Sequence, residues 1–326
     1  MNVTVLGCGS WGTALSVILA RNGHDVTLAG RDTEEIDSLR SHRENLRYLP
    51  GFILPKEVSY ALLGEEPERS DLTAIAVPSG AARDMLRRHC APGQPVVICS
   101  KGLEASTSEL MCEVAAEILP DTPVGVLSGP NLAVEVVQGI PTVAISAFKD
   151  SATATLVQRA FNCSTFRVSV SSDVAGIELS GALKNVLAIG AGMSDGLGFG
   201  DNTKGAFLSR GLMEMAKLGE AMGADPMTFL GPAGVGDLFA TASSTLSRNY
   251  RVGNALGLGK SLHVALAEIG QVAEGVPTSE AVQAFSKRYG VSMPVFQAVE
   301  AVIRNLLTPH QAVAMLMEST PRSINA

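Results

Sequence analysis

The first twenty residues constrain this chain most. Asn2–Leu6 is a short β-rich run that leads without a spacer into Gly7-Cys8-Gly9-Ser10-Trp11-Gly12 and then into Thr13-Ala14-Leu15-Ser16-Val17-Ile18-Leu19-Ala20. That is a strand, a G-x-G-x-x-G turn and a helix in succession. The glycine pattern alone is weak, but a strand before it and a helix after it are the context in which it binds a dinucleotide. Gly7 would make the tight turn, Gly9 would let the backbone approach a pyrophosphate, and Gly12 would let the helix pack closely on the strand. The helix N-terminus adds free N–H groups and the positive end of its dipole. A plain glycine-rich turn is the competing reading.

A second strand, over 25–29, ends in Gly30-Arg31-Asp32. Sites selective for NAD usually place an acid at this strand end, on the ribose hydroxyls. Here the end is small and Arg31 follows. An arginine can stack on adenine or pair a 2′-phosphate, which leans toward NADP or toward use of both NADP and NAD. A solvated surface arginine beside Asp32 is the alternative.

Further strands are expected over 72–77, 95–99, 124–127, 142–146 and 165–170. Ligands of doubly wound sheets sit at the carboxyl ends of strands, where Lys101 and the run Gly129-Pro130-Asn131 fall. From Val174 onward no convincing strand remains. Helices are expected over 174–192, 203–222, 226–230, 235–243, 248–257, 262–269, 279–289, 294–306 and 309–317. Asp225-Pro226 and Thr308-Pro309 fit an N-cap followed by proline at the first helical position. The chain of 326 residues favours two domains. The expected fold is α/β: a doubly wound sheet over 1–172, then an all-α domain over 173–326.

The helix from Val174 is apolar on nearly every side, so it should be buried. It nevertheless carries Lys184, which is costly there unless paired, snorkelling or used. Ser180, Gly181, Ala188 and Ala191 share its face and are small enough to leave a groove for a ligand. A lysine snorkelling beside Glu178 is the bland reading. Two later loops stand out. Gly231-Pro232-Ala233-Gly234-Val235-Gly236-Asp237 places an acid at a helix start, where a simple N-cap would explain it. Ser247-Arg248-Asn249 offers a hydroxyl, a fork, an amide and a helix N-terminus, suited to an oxyanion or phosphate.

The formal charge of −7 argues against a nucleic-acid partner. Glu178 and Lys184 interrupt the best candidate for a membrane span, so no integral membrane segment is expected. The N-terminus enters a strand at once, without a basic region and apolar core, and so lacks the pattern of a secretory signal. Cys8, Cys90, Cys99, Cys112 and Cys163 are scattered, as reduced core residues of a cytoplasmic protein would be. The histidines do not cluster at metal spacing, and no metal site is expected. The apolar share of the helical half suggests a homodimer.

Several motifs then coincide: VLGCGSWGTAL, NLRYLPGFILP, SKGLE, SGPN, ELSGALKNVLAIGAG, GVGDL, SRN and AEGVPT. In this order and spacing the chain resembles, over its whole length, the bacterial NAD(P)-dependent glycerol-3-phosphate dehydrogenases. The resemblance implies a Rossmann-like N-terminal domain and a helical substrate-binding domain. It implies interconversion of dihydroxyacetone phosphate and sn-glycerol 3-phosphate, the latter supplied to glycerophospholipid synthesis. Under it, Lys184 matches the catalytic lysine that donates and accepts the proton. Lys101, Gly129, Asp237, Ser247, Arg248 and Asn249 match substrate contacts. Ser10, Trp11, Arg31, Lys101, Ala133, Arg248, Val272 and Glu274 match cofactor contacts. Asn131 departs from the usual Ser or Thr, and its amide reaches further. Ala29-Gly30 replaces a bulkier pair.

Burial, with Lys101 and Arg248 nearby, should lower the Lys184 pKa, while Asp237 and a substrate phosphate should raise it, with a net lowering. Two other readings compete. One is a 3-hydroxy acid dehydrogenase with a lysine acid, since arginine also serves carboxylates. The other is a non-catalytic nicotinamide-binding sensor, which would need the glycine loop but not Lys184, Asp237 and an anion clamp together.

Overall fold

The structure, a computed structural model, describes residues 1–64 and 70–318. Residues 319–326, assigned from sequence to the second domain, lie outside the described residues. The first half runs β1 (Asn2–Leu6), α1 (Ser10–Arg21), β2 (Asp25–Gly30), α2 (Thr33–His42), β3 (Glu44–Asn45), β4 (Leu49–Ile53) and β5 (Val58–Leu62). It continues with β6 (Leu72–Ile75), α3 (Ser79–His89), β7 (Val96–Ile98), β8 (Leu103–Glu104), β9 (Glu109–Leu110) and α4 (Met111–Ile118). It ends with β10 (Val124–Ser128), α5 (Ala133–Val137), β11 (Thr142–Phe148), α6 (Ser151–Phe161) and β12 (Phe166–Ser171).

Eight strands form one sheet in the order β12-β11-β10-β7-β6-β1-β2-β5. β1 sits centrally, in register with β2 (Leu6 opposite Ala29) and β6 (Leu6 opposite Ile75). All four residues of β6 are buried, as a strand covered on both faces requires. One apolar cluster packs α1, α2 and α6 on one face, and another packs α3 and α4 on the other. Two features depart from expectation. β5 extends the edge beside β2; its VSYAL is partly exposed and lacks an apolar run that would announce a strand. β11 runs antiparallel to β10. A parallel return needs a crossover with substantial structure, whereas the link here holds only the five-residue α5.

The second half runs α7 (Val174–Gly196), α8 (Asp201–Ala221), a 3₁₀ turn (Pro226–Leu230), a π turn (Pro232–Gly236), α9 (Asp237–Ala242) and α10 (Arg248–Gly257). Then come α11 (Leu262–Ile269), α12 (Gly275–Tyr289), α13 (Pro294–Ile303) and α14 (Pro309–Glu318). α12 begins earlier than expected because Gly275-Val276-Pro277, which reads as a loop, forms its first turn, where proline costs no hydrogen bond. The cap signals hold: Asp173 accepts from Gly176 N, Asp225 from Met227 N and Ser247 from Tyr250 N.

α7 is the axis of the molecule. Its 18-residue apolar window has a mean hydropathy of 1.3, long and apolar enough by composition to cross a membrane, yet 89% of that window is buried within this fold. Val174 and Ile177, at its start, join the apolar cluster on the α3–α4 face of the sheet. Its later turns form the helical core. α7 and α10 meet backbone to backbone through glycines. A Cβ on Gly253 would fall on the Ile189 carbonyl, and one on Gly257 would lie 2.9 Å from Gly196 Cα. The two helices that carry Lys184 and Arg248 are thus locked in one relative position.

Candidate active site

The glycine loop has the shape that its spacing predicts. Gly7 has φ +116°, and a Cβ there would lie 2.8 Å from the Ala76 carbonyl oxygen. A Cβ on Gly12 would overlap the Gly7 carbonyl, whereas one on Gly9 would meet nothing within 4 Å. The first bond of α1 is Thr13 N to Gly9 O at 3.0 Å. The N–H groups of Ser10, Trp11 and Gly12 therefore have no acceptor within the helix. Open space at Gly9 beside three unspent donors fits a pyrophosphate. Buried Asn45 holds the loop, donating to Cys8 O and Thr13 Oγ1, both at 2.8 Å. The Trp11 ring packs near Phe166, and its buried Nε1 has no partner among the described residues. Arg31 is exposed just beyond β2.

The lysines converge at the strand ends. Asp237, 1% exposed, accepts from Lys101 Nζ at 2.7 Å through one oxygen and from Lys184 Nζ at 3.0 Å through the other. Lys101 Nζ also donates to Gly129 O at 2.7 Å. Lys184 Nζ donates to Thr241 Oγ1 at 2.5 Å, and Thr241 in turn donates to Asp237 at 3.2 Å. Burial drives the Lys184 ammonium down to about 8; Asp237 opposes that shift, and Lys101 and Arg248 reinforce it. Burial raises the Asp237 pKa, but its two lysine partners more than offset this and hold it below the usual carboxylate value.

Three readings of the sequence are corrected here. Asp237 is not a helix N-cap; its carboxylate is committed to the lysines. The small residues around Lys184 do not leave a ligand groove on α7. A Cβ on Gly181 would lie 2.8 Å from Ser128 Oγ and 3.5 Å from Lys101 Cγ, so the glycine makes room for Lys101. Ser180, Ala188 and Ala191 are fully buried. The alternative pairing of Lys184 with Glu178 is also excluded. Glu178 accepts instead from Met111 N and Cys112 N at the start of α4, and burial lifts its pKa to about 7.

A second group surrounds the start of α10. Ser247 caps this helix, and half-buried Arg248 is its first residue. Burial lowers the Arg248 pKa against the opposing charge of Glu274. Asn249 Nδ2 donates to Asn185 Oδ1 at 2.9 Å, and its Oδ1 accepts from Gly275 N at 2.9 Å. Asn185 then donates to Lys101 O at 3.2 Å. This buried amide chain joins the Lys101 loop, α7, α10 and α12, and among the described residues leaves one Asn249 N–H unspent. Glu274 accepts from Ser79 N at 3.0 Å and Ser79 Oγ at 2.6 Å, across to the sheet. Its pKa is raised by burial, with the Ser79 bonds and Arg248 opposing.

The remaining candidates lie at the margins. Ala133 opens α5. Val272 is 47% exposed. Asn131 Nδ2 donates to Val143 O at 3.1 Å, so this amide grips the sheet, while its buried Oδ1 has no partner among the described residues. The structure thus brings Lys101, Gly129, Lys184 and Asp237 into direct contact and links them through Asn185 to Asn249, which follows Arg248, and on to Gly275, which follows Glu274. The glycine loop, Trp11 and Arg31 stand apart from them. Thr241, Asn185 and Ser79 escaped the sequence reading. Only Thr241 had a local signal, its place one turn after Asp237.

The family model described as NAD-dependent glycerol-3-phosphate dehydrogenase N-terminus matches residues 2–154, and the corresponding C-terminus model matches residues 173–314. The chain belongs to this family. As a glycerol-3-phosphate dehydrogenase it is an NAD(P)-dependent oxidoreductase. It is 46% identical to a glycerol-3-phosphate dehydrogenase [NAD(P)+] of Thermoanaerobacter over 97% of both chains. It is 45% identical to one of Pseudomonas fluorescens over 98% of this chain and 95% of the relative. Among solved structures, glycerol-3-phosphate dehydrogenase from Coxiella burnetii superposes with a TM-score of 0.93 at 36% identity, covering 97% of this chain and 98% of the other.

Proposed function

We propose that this dehydrogenase interconverts dihydroxyacetone phosphate and sn-glycerol 3-phosphate, with Lys184 as the proton donor and acceptor. The observation that carries this reading is the buried Lys184 ammonium, poised at about 8 between Asp237 and Thr241 and beside Lys101. Bound NAD(P)H supplies the hydride. In reduction, Lys184 stabilises the negative charge that develops on the carbonyl oxygen and passes it a proton. Asp237 aims the ammonium and Thr241 takes its second donor direction, which leaves the third N–H for the substrate oxygen. Arg248, the cap of α10 and the unspent Asn249 N–H hold the phosphate, with Gly129, Asn131 and Ser247 at the margin of the substrate. The loop residues Gly7, Gly9, Ser10, Trp11 and Gly12 hold the cofactor, and Arg31, Lys101, Ala133, Arg248, Val272 and Glu274 complete its contacts.

In this reading the domains divide at 172/173, and the enzyme works in the cytoplasm, where its product enters glycerophospholipid synthesis. We also propose a homodimer. Met227, Leu230, Phe239 and Leu246 of the helical half are half-exposed or more and could be covered in it; the mass in solution tests this. The deciding assay follows NADH and NADPH oxidation with dihydroxyacetone phosphate and with a panel of oxo acids. Turnover of the phosphorylated ketone is expected, falling at least 100-fold in Lys184→Ala while nucleotide affinity changes little. Near-normal turnover in that variant would sink the assignment. Arg248→Ala should chiefly raise KM for the ketone phosphate, and an unchanged KM would count against the clamp.

A further inference from the structure

Residues 101–104 form a strap between the two halves, and their side chains alternate between the halves as those of an extended chain do. Lys101 and Leu103 face the helical half: Lys101 Nζ holds Asp237, and Leu103 is buried in the helical core. Gly102 and Glu104 face α3. A Cβ on Gly102 would lie 2.6 Å from Ser79 Oγ and 2.9 Å from Glu274 Oε2, so the strap is pressed against the bond between these two residues. Buried Glu104 meets Arg83 of α3 in a two-pronged pair, in which Nε donates to Oε1 and Nη2 to Oε2, both at 2.8 Å. Thr107 Oγ1 donates to the same carboxylate at 2.7 Å. Glu117 at 2.8 Å and Glu109 at 3.6 Å also approach the guanidinium. A planar fork on a carboxylate fixes direction as well as distance. Arg83 stands one turn after Ser79, so one helix both seats Gly102 and clamps Glu104.

Resting on Lys184 as the proton donor, we infer that Arg83 and Glu104 are positioning residues: their pair sets the reach of Lys101 and so keeps its ammonium on Asp237. The strap is short, and slack at Glu104 is passed along it to Lys101. With the pair intact, Lys101 takes one Asp237 oxygen and Lys184 has the other. With the pair broken, Lys101 recedes and Asp237 turns to Lys184. The charged groups facing Lys184 are Asp237 from α9, Lys101 from the strap and Arg248 from α10; Glu274 stands against the strap at Gly102. Glu104 stays ionised through the neutral and alkaline range, because the Arg83 fork, aided by Thr107 and opposed by burial, holds its carboxyl below the ordinary value. A shift of the activity profile in that range therefore reports on the lysines and not on the clamp itself.

The pH profiles of ketone reduction, as kcat/KM, in Arg83→Met and Glu104→Gln test this in the full chain. Both should move the alkaline limb upward by about half a unit or more and cut kcat/KM at pH 7 about fivefold or more. Acting by charge alone, the two would move it in opposite directions, since one removes a cation and the other an anion; opposite shifts would overturn the proposal. Arg83→Lys keeps the charge and loses the fork, so it should move the limb upward too, and it carries the test where either truncation unfolds. Glu117→Gln removes an exposed partner of Arg83 and spares the Glu104 pair, so its limb should stay in place. In a Lys101→Met background neither substitution should move the limb further, and an added shift would mean that the pair does not act through Lys101. An unmoved limb in both variants, with Lys184→Ala inactive, would overturn this inference alone. Near-normal turnover in Lys184→Ala would overturn the proposed reaction and this inference with it.

Discussion

Asp237 serves two lysines at once, and under the proposed mechanism that sharing sets the proton chemistry. Its two oxygens hold Lys101 and Lys184 at 2.7 and 3.0 Å. Lys184 therefore has half of a carboxylate to offset its burial, and the positive charge of Lys101 helps to lower its pKa to about 8. An acid of that pKa is mostly charged at pH 7 and gives up its proton readily. Ketone reduction, as kcat/KM, should fall as pH rises through about 8, and alcohol oxidation should rise through the same pH. Lys101→Met removes the competing cation and frees the second oxygen for Lys184. Its pH profile should move upward by about one unit, so an unmoved profile would mean that Lys101 does not tune the acid. The sequence pointed to Lys184 as a buried charge on an apolar helix and, through the resemblance, to Asp237 beside it, but not to the sharing of that carboxylate with Lys101, which lies 136 residues away from it.

At the level of elements, α7 carries two consequences beyond Lys184. Glu178 ties α7 to the start of α4 through backbone N–H groups, and burial lifts its pKa from an ordinary 4.5 to about 7. A folded-state pKa above the unfolded value means that stability is fully present below about 4.5 and is lost as pH rises through about 7. That difference amounts to about 3 kcal/mol at most. Glu178→Gln should remove most of the fall in Tm between pH 5 and pH 8, measured by thermal unfolding; a slope equal to that of the native chain would refute the assignment. The α7–α10 contact is set by glycine. Gly253→Ala gains about 1 kcal/mol in helix propensity but drives a methyl group into the Ile189 carbonyl. Overpacking of this kind costs about 3 kcal/mol and wins. The variant should unfold at lower denaturant and, by shifting α10, show a raised KM for the ketone phosphate.

Across the whole molecule, the site exists only where the two halves meet. Lys101 reaches from the sheet to Asp237, Asn185 reaches back to the Lys101 carbonyl, and Glu274 takes two bonds from Ser79 at the start of α3. A hydrogen bond to a partly buried carboxylate such as Glu274 is worth about 2 kcal/mol. The double-mutant cycle of Ser79→Ala with Glu274→Gln should therefore show a coupling of about 2 kcal/mol in denaturant unfolding. Additive effects would mean that the contact does not hold the halves together. Local patterns foresaw much of this architecture. The strand–glycine–helix opening, the capped starts of α7 and α10, and the buried apolar character of α7 are short-range properties of neighbouring residues. The edge strand β5 and the antiparallel β11 were not foreseen, since pairing partners leave no mark in a short segment.

The same divide separates the chemistry. Glycines at the right spacing, a lysine in an apolar helix and Ser-Arg-Asn at a helix start are written in local order, because backbone geometry and capping act over a turn or two. Which lysine shares which carboxylate, why Gly181 is small and where Glu178 points depend on residues tens to more than a hundred positions apart. Lys101 and Asp237 are separated by 136 residues along the chain and by 2.7 Å in space. Only the packing of α7 against sheet and helices brings them together, and only its low dielectric makes their charges strong enough to shift a proton.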